Sequence, residues 1–119
     1  MRALHRIAAA ALFAAAAVVP ARAADGQERR ETLLTLYKVM ITNESCDLDM
    51  SEAEADAVSD AAEALVHDLR LTEEQANEVY VRARGEMEEQ GGDKICDPQG
   101  DWLRAYRQAV QNALESPKG

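Results

Sequence analysis

Large aromatic side chains are almost missing from this sequence: its 119 residues include one Trp, one Phe and three Tyr. The single Phe, Phe13, falls in an N-terminal apolar segment, so the chain beyond residue 23 has none. Many of its other apolar residues are alanines, each of which buries little area, so the core is thin. Cysteine is scarce as well. Cys46 and Cys96 stand too far apart for a Cys-x-x-Cys redox pair, and no Cys-x-x-Cys-His haem attachment site occurs. Beyond residue 23 the one histidine is His67, and one His with two paired cysteines does not make a standard zinc site. No run alternates strictly between apolar and polar residues, which argues against half-buried strands. There is no glycine-rich phosphate cradle, and Ser45, Ser51 and Ser59 lack the nucleophile-elbow context of a hydrolase. The chain is therefore expected to be neither an enzyme nor a cofactor protein.

What is present begins with an export signal. Arg2 and Arg6 precede an unbroken apolar run from Ile7 to Val19, and Ala21-Arg22-Ala23 supplies a small-x-small cleavage site. The run has 13 residues, well short of the roughly 20 a spanning helix needs. The expected division is a cleaved signal, residues 1–23, and one domain, residues 24–119. No cysteine stands just after the cut to carry a lipid anchor and no twin-arginine pair precedes it, so the expected product is a free periplasmic or secreted chain. Removing Arg2, Arg6 and Arg22 leaves ten basic residues against twenty-two acids, a net charge of −12. That surface repels phosphate backbones and anionic headgroups, which disfavours nucleic acid and membrane insertion. It suits a basic partner, a cation or high solubility. The remaining 96 residues have room for one domain, and so small a core gains much from a disulfide in an oxidising compartment.

Apolar spacing predicts four helices. Leu33, Leu36, Tyr37, Met40 and Ile41 form a stripe on the first, about 28–43, with Leu34 and Val39 beside it. Ser51 with Glu54 is a capping box opening the second, about 52–69, along which Ala55, Val58, Ala62, Leu65 and Leu69 make a close-packing seam. Thr72 with Gln75 repeats the box for the third, about 73–90, with Ala76, Val79, Tyr80, Ala83 and Met87 on its apolar face and Gly91-Gly92 as the stop. Asp97-Pro98 opens the fourth, about 98–115, where Trp102, Leu103, Tyr106, Ala109, Val110, Ala113 and Leu114 give the broadest apolar face. The expected fold is all-α, a small four-helix bundle stapled by one disulfide.

The short link Arg70-Leu71-Thr72 implies an antiparallel hairpin of the second and third helices. Cys46 precedes that hairpin and Cys96 follows it, so the two cysteines are expected at one pole and bonded to each other. Asp47, Asp49 and Glu52 lie near one helix start there, and Asp93, Asp97 and Asp101 near the other. Six acids together would suit a hard cation such as calcium, whereas separately they favour positive helix N-termini. Neither segment matches an EF-hand loop: counting from Asp47, Glu52 and Val58 stand where Gly and Glu are required. Trp102 and Tyr106, at i and i+4, are either core or a partner-binding pair. An alanine seam left uncovered would serve a dimer.

The exported region as a whole resembles small uncharacterised one-disulfide helical proteins that bacteria secrete. Its length, acidity, helical pattern and wide Cys46 to Cys96 spacing are also similar to the HdeA/HdeB acid-stress chaperone family, with Asn43-Glu44-Ser45 in place of that family's tryptophan-rich approach to the first cysteine. That resemblance implies one disulfide across a helical fold and unfolded clients bound when acid loosens it. Three functions are thus expected in order: a non-enzymatic periplasmic accessory or interaction protein, an acid-activated chaperone, and a divalent-cation binder at the acidic pole.

Overall fold

The structure, a computed structural model, describes residues 25–116; the expected signal, residues 1–23, lies outside the described residues. Helix α1, residues 25–45, carries more apolar residues than one stripe can use, and it spends them on two faces. Leu33, Leu36 and Val39 pack with Val58 and Ala62 of α2 (Glu52–Asp68) and with Leu103, Tyr106, Val110 and Ala113 of the C-terminal helix α5 (Asp101–Glu115). Leu34 and Ile41 instead meet Ala83 and Met87 of α3 (Glu73–Gln90) and Ile95 of a one-turn helix α4 (Gly92–Ile95). Tyr37, Val79 and Trp102 border both clusters.

All described elements are helices, as expected, and they number five among the described residues, the extra one being the four-residue α4. Three helices, α1, α2 and α5, share one core, while α3 and α4 cover the opposite face of α1. Helix α2 accordingly lies along α5, not along α3 as the hairpin reading had it. The reason is the composition of α3: around Val79, Tyr80, Ala83 and Met87 it is almost wholly polar, so its narrow apolar stripe is satisfied by one neighbour.

Local signals explain where the chain changes direction. Both capping boxes form: Glu54 N–H donates to Ser51 Oγ at 3.1 Å and Ser51 N–H to Glu54 Oε1 at 2.9 Å, with Thr72 and Gln75 repeating these distances. Such caps contribute about 1 kcal/mol each. Between them Arg70 takes a left-handed turn (φ 54°), and Leu71 N–H returns to Val66 O at 3.0 Å.

The last helix starts later than Asp97-Pro98 suggests. Asp97 accepts Gln99 N–H on Oδ1 and Gly100 N–H on its carbonyl, both at 3.0 Å, so residues 97–100 form a turn and Gly100 takes the N-cap position of α5. A Cβ at Gly100 would stand 3.2 Å from Asp97 O and 3.3 Å from Asp97 Cβ, tighter than ordinary contact. Gly91, at φ 85°, closes α3 as expected, but Gly92 then begins α4, which buries Ile95. Two residues of the expected apolar faces are corrected outward: Ala55 of the second-helix seam is exposed, and Leu114 of the last helix is 42% exposed.

Candidate functional site

Cys46 and Cys96 are bonded to each other, their Cα atoms 5.4 Å apart across a sequence separation of 50. Cys46 is delivered by the last turn of α1, where its N–H reaches Thr42 O at 2.8 Å, and Cys96 by α4, where its N–H reaches Gly92 O at 3.0 Å. Helix order therefore brings the two together even though α1 lies between α2 and α3. The bond joins the end of α1 to the approach of α5.

The acids around it do not converge. Asp47, Asp49, Glu52, Asp93, Asp97 and Asp101 are all exposed. Among the described residues, no three or more His, Cys, Asp or Glu side chains are grouped closely enough to hold a metal ion. Each acid answers a local need or faces water: Asp97 caps its own turn, and Asp101 Oδ1 accepts from Arg104 Nη1 at 3.2 Å. Mutual repulsion between like charges favours this spreading. His67 is exposed, its Nδ1 3.9 Å from Asp68 Oδ1.

Beside the disulfide pole is a buried polar node whose centre is Thr42, which is 0% exposed. Trp102 Nε1–H donates to Thr42 Oγ1 at 2.8 Å, and that hydroxyl donates to Lys38 O at 2.7 Å with Met87 Sδ at 3.6 Å. Trp102 is thus half-buried and tied to α1, and Tyr106 is buried in the α1–α2–α5 core. Burial, and secondarily the nearby Glu54 carboxylate, push the Tyr106 hydroxyl above its ordinary pKa. The next residue along α1, Asn43, has its Oδ1 buried without a hydrogen-bond partner among the described residues.

Charge adds to the apolar α1–α3 contact. Lys38 Nζ, on a side chain 15% exposed, lies 2.6 Å from Glu86 Oε1, while Arg82 Nε lies 2.7 Å from Glu86 Oε2 and its Nη2 lies 3.6 Å from Glu31 Oε1. The hydrogen bond from Lys38 is the main cause holding the Glu86 carboxyl below the ordinary carboxylate range; Arg82 adds to it and partial burial opposes it. Nearby, the Tyr37 and Tyr80 rings meet edge to face at 5.6 Å, with the Arg84 guanidinium 5.1 Å from the Tyr80 centroid.

A larger concavity lies elsewhere. A groove of about 1080 Å³ runs between α2 and α5, with the first half of α1 as its floor. Ala57, Ala61 and Ala64 form one wall, Ala105 and Ala109 the other, and Leu36 lies beneath. Glu31, Asp56, Asp60 and Asp68 also line it, and among the described residues no Lys or Arg does. A smaller pocket of about 250 Å³ lies between Leu48, Met50, Leu103 and Val110, with Glu54 and Arg107 of opposite charge on its lining. Sequence reading located the alanine seam of α2 but not the groove. The alanines at 57, 61, 64 and 105 that wall it lie beside the predicted apolar faces, while Ala109 stands on one of them. Comparison with family models, with curated proteins and with solved structures finds no match to this chain.

Proposed function

We propose that this chain is an exported, non-enzymatic accessory protein that works by binding another protein. The observation that carries this reading is the groove between α2 and α5, an alanine-walled concavity that leaves the outer edge of the α1–α2–α5 core, at Leu36 and Ala113, beneath an open cleft. Export is supported by the signal-like residues 1–23 and by the disulfide, which persists in oxidising compartments. No described helix is long and apolar enough to cross a membrane.

The test is site-specific photocrosslinking in the periplasm of a host producing the full chain. A crosslinking residue at Ala64, in the groove, gives a discrete adduct, and one at Val81, on α3 outside it, does not. N-terminal sequencing of the recovered protein begins at Ala24. Retention of residues 1–23, or a reproducible hydrolase or oxidoreductase activity of the purified chain, overturns the reading.

A second reading, an acid-activated chaperone, is favoured by one observation: α3 is fastened to α1 through the Glu86 carboxylate. Acid removes that charge, and self-repulsion of a chain losing its negative charges opens it further. Failure to suppress aggregation of a client near pH 3 removes this alternative.

A further inference from the structure

We infer that the groove between α2 and α5 takes a cationic amphipathic helix of a partner protein. The inference rests on the binding role proposed above and specifies the chemistry of what is bound. The shape comes first. Alanines on both walls present little more than Cβ atoms, so a third helix can approach to the short end of interhelical spacing, about 8 Å. The α2 wall runs from Ala53 to Asp68, which at 1.5 Å per residue suits a partner helix of about fifteen residues.

Charge then selects the occupant. Of the four acids lining the groove, Glu31 shares Arg82 at 3.6 Å and Asp68 is 3.9 Å from His67, while Asp56 and Asp60 make no salt bridge among the described residues. Among the described residues the groove lining supplies no Lys or Arg. A helix with Leu or Ala on one face and Lys or Arg along its flanks would bury its apolar stripe against the alanines and set its cations beside Asp56 and Asp60. A second copy fits poorly. Two such grooves face to face would confront their acids across the interface, on chains that already carry −12 each beyond residue 23.

The probe is a synthetic sixteen-residue helical peptide of Leu, Ala and Lys, with a counterpart in which Glu replaces every Lys. Each is titrated against the isotopically labelled mature chain at low and high salt. The Lys peptide is expected to shift the amides of Ala57, Ala61, Ala64, Ala105 and Ala109, while the Glu peptide shifts none. D56N/D60N should weaken binding about fivefold and flatten its salt dependence. E88Q/E89Q, the same charge change on α3, should alter it less than about twofold. A64K/A105K adds bulk and positive charge at two exposed positions and should abolish the shifts while leaving the helical circular dichroism intact.

Equal binding of the Glu peptide, equal loss in the α3 control, or shifts centred on α3 overturns the inference. So does self-association, read by sedimentation, that A64K/A105K abolishes, since the occupant is then a second copy. A partner adduct at position 64 that forms equally in D56N/D60N also overturns the cationic helix but leaves the binding role standing. Absence of both adduct and peptide binding overturns the two together.

Discussion

Thr42 does what few residues in this chain can do: it satisfies a tryptophan. Its hydroxyl accepts Trp102 Nε1–H at 2.8 Å and donates to Lys38 O at 2.7 Å, while the residue itself is fully buried. Replacing it by valine keeps the volume and removes both bonds, leaving the indole N–H to find water at the half-exposed edge of Trp102. T42V is expected to cost about 1–2 kcal/mol by urea denaturation, with T42S close to the parent and the Trp102 emission shifted in T42V alone. A T42V protein as stable as the parent would show that the indole N–H is hydrated at no cost. This node was not legible in the sequence, where Thr42 and Asn43 read as the polar end of the first helix. Periodicity sorts apolar positions, and a threonine chosen for one indole partner sixty residues away leaves no periodic mark.

At the scale of elements, α1 is the case where the apolar pattern was visible and its use was not. Leu33, Leu34, Leu36, Tyr37, Val39, Met40 and Ile41 were all identified as apolar, but as one widened stripe. The number of partners a helix serves depends on what its neighbours can offer, and α3 offers only Val79, Tyr80, Ala83 and Met87. The disulfide pole survived that error because it depends on helix direction alone, whereas the acidic site near it required side-chain convergence that helix order does not dictate. With so narrow an apolar contact, α3 depends on Lys38, Arg82, Glu86 and Glu31 to stay on α1. Because Glu86 has a depressed folded-state pKa, its contribution is present above the ordinary carboxylate pKa and lost as pH falls through the folded value. Native-state hydrogen exchange should therefore show α3 amides losing protection, before those of α2 and α5, as pH falls below the ordinary carboxylate range. E86Q should reproduce that loosening at neutral pH. Simultaneous loss of protection in all helices would mean that the two clusters on α1 unfold as one unit, with no separate role for Glu86.

For the whole molecule, the disulfide decides whether two small clusters make a stable domain. One cluster joins α1 to α2 and α5, the other joins α1 to α3 and α4, and the Cys46–Cys96 bond ties the end of α1 to the segment between α4 and α5. The clusters also meet at Val79 and Trp102, which border both, so the bond reinforces a junction that α1 already provides. Closing a loop of sequence separation 50 restricts the unfolded chain by about 4 kcal/mol in the chain-entropy model. A domain this size has total stability of only about 5–10 kcal/mol. The C46A/C96A double variant is therefore expected to lose roughly half its stability by urea denaturation, and mutual repulsion among its excess acids should make that loss larger at low salt than at high salt. Because α2 and α5 pack on α1 without help from the bond, the variant should keep the protection of that three-helix core longer than that of α3. A loss below about 1 kcal/mol would instead mean that the reduced unfolded chain is already compact, held by something other than the bond. An equal loss of protection in α3 and in the three-helix core would place the staple's effect on the molecule as a whole, with α1 transmitting it to both faces.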